Sequence, residues 1–327
     1  MMAAAAMLCS CNKELQNHEN INPATESVEL EISVSKSTES VTRSVTNDWK
    51  DTEINDLSVY VFNDDGSLDV AEKVLKQNSI KLSCLSGKGK SIYALVNFTP
   101  MGNISTKAQM DQVTTALTDN GKTSFVMSGC LNNQTITNSG SISIPVSRSA
   151  AKVSIDMISN KITDLNLKDK EFKVKNIYLI NVPCGNYPLF SKAYKPSNWC
   201  NKMIYETDPR TDLFTYDAVN SQIINNGSYT KTHTFFSYPN PTTQDANEGV
   251  WSARKTRLVV ETQIGTDTYY YPITLDALKA NTHYHFKSLT ITRKGSLTPD
   301  TPVSSDQATF NVVIEDWTKS EMGDVTI

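Results

Sequence analysis

The chain has 327 residues, 39% hydrophobic and 20% charged, enough for about two domains of roughly 150 residues each and too apolar for a disordered or collagen-like chain. Its 31 Lys and Arg against 35 Asp and Glu leave a net charge of -4, so there is no basic excess to neutralise a phosphate backbone and no nucleic-acid partner is expected. With four histidines, 13 glycines lacking phosphate-loop spacing and no internal apolar run near the ~20 residues of a membrane helix, the expectation is an exported β-rich protein, not an enzyme, with no cofactor or metal.

The first eleven residues, MMAAAAMLCSC, read as the tail of a secretory signal, apolar and small and ending at cysteine. No Lys or Arg precedes Lys13, so the true start is expected upstream of Met1. Leu8-Cys9-Ser10-Cys11 resembles a bacterial lipobox, in which a small residue precedes the acylated cysteine. Ser10 makes Cys11 the lipidation candidate, whereas bulky Leu8 argues against Cys9. Acyl chains then replace a spanning helix as the attachment to the outer membrane. Residues 12–27 are polar and without apolar periodicity, a flexible tether. Lys13-Glu14 within it resembles the charged export tag of Bacteroidetes surface lipoproteins.

Val28, Leu30, Ile32 and Val34 alternate with polar residues, the period of a half-buried strand. Behind it runs KSTESVTRSVTNDWKDTE, without periodicity, an exposed loop holding Arg43. Residues 57–62 and the apolar run 92–98 read as buried strands, the latter covered on both faces. Met110, Val113 and Leu117 lie at helical spacing between a candidate N-cap at Ser105 and a stop at Gly121. Ile142, Ile144 and Val146 alternate again, and a domain boundary is expected after residue 147, giving domains 28–147 and 148–327. Strands follow at 172–182, 232–236, 256–263, 268–275, 283–291 and 308–317, with a long polar stretch between 182 and about 230. Many short strands and few helices predict an all-β chain of two β-sandwiches.

Several segments taken in this order, CNKE with a polar tether, INDLSVYVFNDDGSL, KSIYALVN, FVMSG, IPVSRSAAKVSID, TYYYPITL, NTHYHFKSLTITRKGSLTP and FNVVIEDW, make the chain resemble a fimbrillin of the Bacteroidales type V pili. The resemblance implies two tandem transthyretin-like β-sandwich domains and a life as a fimbrial subunit at the cell surface, made as an outer-membrane lipoprotein precursor. It implies that an arginine-specific protease cuts behind the first strand, that the strand carrying Val28, Leu30, Ile32 and Val34 leaves, and that a strand of another copy or of an accessory fimbrillin replaces it. Arg43 is the sole arginine before Arg148, which makes the Arg43–Ser44 bond the candidate cut. In the family the donor lies at the carboxyl end, where Trp317, Val325 and Ile327 fall on one face, while Phe310, Val312 and Ile314 either help the donor or stay in their own sheet.

Among the remaining cysteines, Cys184 and Cys200 could close a disulfide loop, although Cys84 and Cys130 allow other pairings and buried free thiols are equally ordinary. His283 and His285 share a strand face but have no third metal ligand in reach by sequence. The Tyr269-Tyr270-Tyr271 run could form a sugar platform, and core packing explains it more simply. The competing functions are a monomeric lipid-anchored adhesin or glycan-binding protein, an accessory or tip subunit, and a hydrolase, for which no catalytic pattern stands out.

Overall fold

Alternating aliphatic residues build strands along almost the whole chain, which the computed structural model describes at residues 26–36, 53–121, 123–191, 193–202, 214–245 and 253–317. The first half holds β1 (Ser27–Lys36), β2 (Asp56–Phe62), β3 (Leu68–Leu75), β4 (Ser79–Leu85), β5 (Gly87–Val96), helix α1 (Lys107–Asp111), β6 (Thr114–Thr115), β7 (Met127–Ile136) and β8 (Gly140–Arg148). Seven strands run in the order β3-β2-β5-β7-β8-β1-β4. Strands β7 and β8 share only the pairs Met127–Arg148 and Ser128–Ser147, so the path folds there into two layers. One core fills the space between them, with Leu57, Val59, Val61, Ile92 and Ala94 from one layer facing Leu30, Ile32, Leu82 and Ile144 from the other.

The apolar run of β5 is covered on both faces, as its sequence predicts. Ile92 and Ala94 face the sandwich core, while Tyr93 and Leu95 pack under Met110 of α1. The helix is shorter than the Ser105–Gly121 span expected from spacing. It is capped by Thr106 rather than Ser105, in a capping box with Gln109, and it ends by Gln112. The β-branched run Val113-Thr114-Thr115 then pairs as β6 with a strand from the second half, and Leu117 starts a single 3-10 turn to Asp119. Met110 and Leu117 are both buried but in different cores, so helical spacing here reflects a segment crossing between the halves.

The second half begins with β9 (Ala151–Ile155), β10 (Ile158–Asn160) and β11 (Phe172–Ile180). The stretch expected to be only polar contains β12 (Val182–Gly185), β13 (Tyr187–Pro188), β14 (Asn198–Cys200), β15 (Tyr216–Gln222) and β16 (Ser228–Tyr229). Strands β13, β14 and β16 are two or three residues long, below the length at which alternation is readable, and β12 (VPCG) and β15 (YDAVNSQ) carry no run of alternating apolar residues. Then come β17 (His233–Ser237), β18 (Thr256–Ile264), β19 (Asp267–Leu275), β20 (Thr282–Ile291) and β21 (Ala308–Asp316). Sheet β16-β10-β20-β9-β17, with β21 on the side of β20, lies over sheet β15-β11-β18-β19. Their shared core takes Tyr269 and Tyr271 while Tyr270 faces the other side with Tyr178 and Val259, so the tyrosine run packs within the sheet. The chain passes from β8 in the first sandwich to β9 in the second across Ser149 and Ala150.

Candidate functional site

Strand β1 presents one apolar and one polar face, and the fold uses both. Val28, Leu30, Ile32 and Val34 are 7, 3, 0 and 7% exposed in the first core, whereas Glu29, Glu31 and Ser35 face solvent. The strand lies in the middle of its layer. It runs antiparallel to β4, with Val28 opposite Cys84, Leu30 opposite Leu82 and Ile32 opposite Ile80. On its other edge it runs parallel to β8, from Leu30 beside Gly140 to Lys36 beside Val146. Glu31 stands directly across from Lys81, an opposite-charge pair that favours this register.

Among the described residues β4 has no ladder partner other than β1. Withdrawing β1 would therefore leave two facing strand edges and a slot floored by Ile80, Leu82, Cys84, Ile144 and Val146, a site whose chemistry is main-chain hydrogen bonding plus pockets for alternate side chains. Full burial of four aliphatic side chains at ~1.5–3 kcal/mol each makes the apolar part of that slot worth roughly 6–12 kcal/mol to whatever strand fills it. Cys84 sits at one end of the slot, 2% exposed. Burial, and then the neighbouring Asp69 carboxylate, push its thiol up against the opposing pull of Lys90.

The other sequence-predicted residues are placed as follows. Cys11, Arg43, Ser44, Val325 and Ile327 lie outside the described residues. Trp317 is described and directly follows β21. It is 8% exposed, stacked on Phe236 at 5.6 Å and edge-on to Phe125 at 5.0 Å, with the Arg148 guanidinium 4.7 Å over its ring. Its N–H donates to the Asn281 carbonyl at 2.8 Å. Within the single chain Trp317 thus packs into the second core, a placement that alternation alone does not reveal. Phe310, Val312 and Ile314 lie in β21, paired along β20 opposite Leu289, Phe286 and Tyr284. Val312 is buried there, while Phe310 and Ile314 remain 44 and 57% exposed at the sheet edge.

Cys184 and Cys200 are joined by a disulfide that ties β12 to β14, and Cys84 and Cys130 carry free thiols. His283 and His285 stack with ring centroids 5.2 Å apart. Each has a partner: His283 meets the Ser154 hydroxyl at 2.8 Å and Glu315 at 3.5 Å, and His285 meets Asp156 at 2.6 Å. Burial holds the His283 imidazole below its ordinary pKa, with Glu315 opposing. Burial pushes the Asp156 carboxyl up, but His285, joined by the Thr232 hydroxyl and His283, outweighs it and holds that carboxyl below the usual range. No group of three or more metal-ligating side chains forms among the described residues. Sequence reading also missed Lys90, whose parity with Ile92 and Ala94 turns its charged side chain into the first core.

Residues 24–173 match the family described as major fimbrial subunit protein (FimA). No individual curated protein matches the chain in sequence. Among solved structures, a candidate cell adhesion protein from Bacteroides eggerthii superposes with a TM-score of 0.69 at 16% identity, covering 90% of this chain and 97% of that one. A fimbrilin from Porphyromonas gingivalis gives 0.62 at 14% identity over 88% of this chain and 96% of its own. The tip fimbrial protein Mfa3 of Porphyromonas gingivalis, with a C-terminal truncation, gives 0.56 at 13% identity over 89% and 100%. At such identities the likeness is one of fold.

Proposed function

We propose that this chain, whose residues 24–173 match the major fimbrial subunit protein (FimA) family, is a structural subunit of an adhesive cell-surface fimbria, exported as a lipoprotein acylated at Cys11 and polymerised by protease-assisted strand exchange. The observation that carries the assembly step is β1: a strand in the middle of its layer, near the beginning of the chain, filling an apolar slot that the remaining strands do not close.

The physics of the switch lies in the connection to β2, which begins at Asp56. While the connection is whole, β1 is tethered beside its slot at millimolar effective concentration and rebinds after each excursion. A cut after Arg43 turns that intramolecular contact into an intermolecular one, so β1 can be lost by dilution and another copy's strand can take the slot. With Trp317 committed to its own core, the donor is the segment 318–327, ten residues reaching about 33 Å when extended.

Mixing the refolded chain with an arginine-specific protease should yield ladders resistant to mild SDS. An Arg43→Ala chain should stay monomeric, and a mature N-terminus other than Ser44 in purified fibres would move the site. Deleting residues 318–327 should abolish ladders while leaving the monomer folded. Unchanged fibre length would remove the tail as donor and favour a tip or accessory subunit, a reading for which the burial of Trp317 already speaks.

A further inference from the structure

Lys90 sits at the end of the first core nearest the start of β1. The β5–β7 ladder shifts register on both sides of it, between Gly87 and Lys90 and again between Lys90 and Ile92, and such irregularities re-aim a side chain. Its ammonium points inward. Lys90 Nζ donates to Asp69 Oδ2 at 2.6 Å and to Asn63 Oδ1 at 2.7 Å, with the side chains of Lys90 and Asp69 only 2% and 6% exposed. Asp69 Oδ2 also accepts the Leu85 N–H at 2.9 Å, and Asn63 Nδ2 donates to the Ser67 hydroxyl at 3.0 Å.

A buried amine, a carboxamide and a carboxylate within hydrogen-bond reach are the reactants and the proton carrier for acyl transfer. We propose that Lys90 and Asn63 join in an intramolecular isopeptide bond, with Asp69 carrying the proton. Lys90 Nζ, 2.6 Å from Asp69 Oδ2, passes one proton to that carboxylate along their hydrogen bond. The neutral amine is the nucleophile. After rotation of the Asn63 amide about its χ2, Nζ attacks Cγ and a C–N bond forms. The bond from Cγ to Nδ2 breaks as Asp69 shuttles a proton to that nitrogen, which departs as ammonia and takes up the remaining proton as ammonium. Asp69 is regenerated as carboxylate, and no oxidant or cofactor enters. Fixed proximity in the folded core supplies what a free lysine and asparagine lack.

The link would close a covalent loop from residue 63 to 90 around β3 and β4. Strand β4 depends on β1 for its ladder, so a covalent clamp across the two ends of the β3–β4 segment would hold one wall of the slot while it stands empty. That consequence rests on the strand-exchange reading, but the bond itself does not, because the chemistry concerns the unprocessed subunit.

The test is mass spectrometry of the purified, folded full chain, reduced and then unfolded. The expected mass is about 17 Da below that of the sequence, the loss of one ammonia, with a tryptic species joining the peptides that contain Asn63 and Lys90. Lys90→Arg and Asn63→Ala should each restore the full mass, as should wild-type chain never allowed to fold. A full-mass folded wild type overturns the proposal whether or not the protein polymerises. So does a loss of about 18 Da mapping to Lys90 and Asp69, since water would then have left from the carboxylate.

Discussion

If β1 is the exchangeable strand, Cys84 becomes a chemical reporter of its departure. The thiol is 2% exposed and lies directly across the ladder from Val28, so β1 covers it. In a soluble variant with Cys9, Cys11 and Cys130 replaced by serine, a thiol reagent should leave the intact precursor almost unlabelled. After cleavage behind β1 the labelling rate should become the rate of strand loss. Ile32→Ala gives the magnitude. Ile32 is fully buried between Ile80 and Ile142, and deleting such a side chain costs about 2–5 kcal/mol. Because these contacts are lost when the strand leaves, labelling of Cys84 should accelerate roughly 30- to 4,000-fold at tenfold per 1.4 kcal/mol. Leu289→Ala removes a comparable side chain from the second core and should leave the rate near wild type. Labelling that is equally fast before and after the cut would show that Cys84 is reached by another opening. A thiol still protected once β1 has been physically removed would show that the slot collapses. Either result refutes the reasoning.

Three further outcomes follow from the packing. Replacing Cys184 and Cys200 with serine should cost about 3 kcal/mol for a loop of this size, lowering Tm by about 6–12 °C at 2–4 °C per kcal/mol; an unchanged calorimetric transition would show that the bridge carries no load. Gly129→Ala should destabilise the first half more than a surface substitution does, because an added Cβ would lie 2.1 Å from the Pro145 carbonyl oxygen where β7 meets β8; a denaturant midpoint equal to wild type would contradict the tight crossing. His283 is held below its ordinary value of 6.5 by burial, so the unfolded chain binds its proton first and stability should fall as pH drops through 6.5 toward the lower folded value. Denaturant midpoints for His283→Gln should show a shallower decline from pH 7.5 to 5.5 than wild type, and identical slopes would exclude this imidazole.

What was legible in the sequence was whatever a period of two can encode. Val28 to Val34, and Ile144 and Val146 beside a partly buried Ile142, lie on the faces their alternation assigns, and strands stand at 172–180, 256–264, 267–275, 282–291 and 308–316 where the pattern predicts them, although Phe310 and Ile314 of the last remain exposed. Strand β3 gave no signal because its residues are mostly half-buried or exposed at the end of the sheet path, so LDVAEKVL carries no clean alternation. Strands β13, β14 and β16 escaped for lack of length and β12 and β15 for lack of alternating apolar residues, and the β12–β14 pair depends on a disulfide and on edge pairing that no local pattern specifies. Trp317 and Lys90 mark the limit most clearly. An aromatic near a polar tail looks available, and a lysine between Gly89 and Ser91 looks solvated, yet one is anchored by Phe125, Phe236 and Arg148 and the other by Asp69 and Asn63. Both depend on partners distant in sequence.

On the strand-exchange proposal, the same burial pattern says which way the exchange would run. The slot offers apolar positions at the places now held by Val28, Leu30, Ile32 and Val34, worth roughly 6–12 kcal/mol to that strand. The tail TKSEMGDVTI offers Val325 and Ile327 on one face, interrupted by Lys319, Glu321 and Gly323, and only Met322 on the other. Two aliphatic side chains supply about 3–6 kcal/mol, so in open competition the tail loses to the resident strand by several kcal/mol. A tethered β1 would therefore never be displaced at equilibrium, and mixing intact subunits should produce no fibre however concentrated they are. Under that proposal direction must come from outside the ladder, and an irreversible peptide cut would supply it by removing the resident strand's effective concentration rather than by improving the donor. On this account the weak tail is consistent with the assembly step, because a donor good enough to displace tethered β1 would let precursors polymerise before they reached the surface.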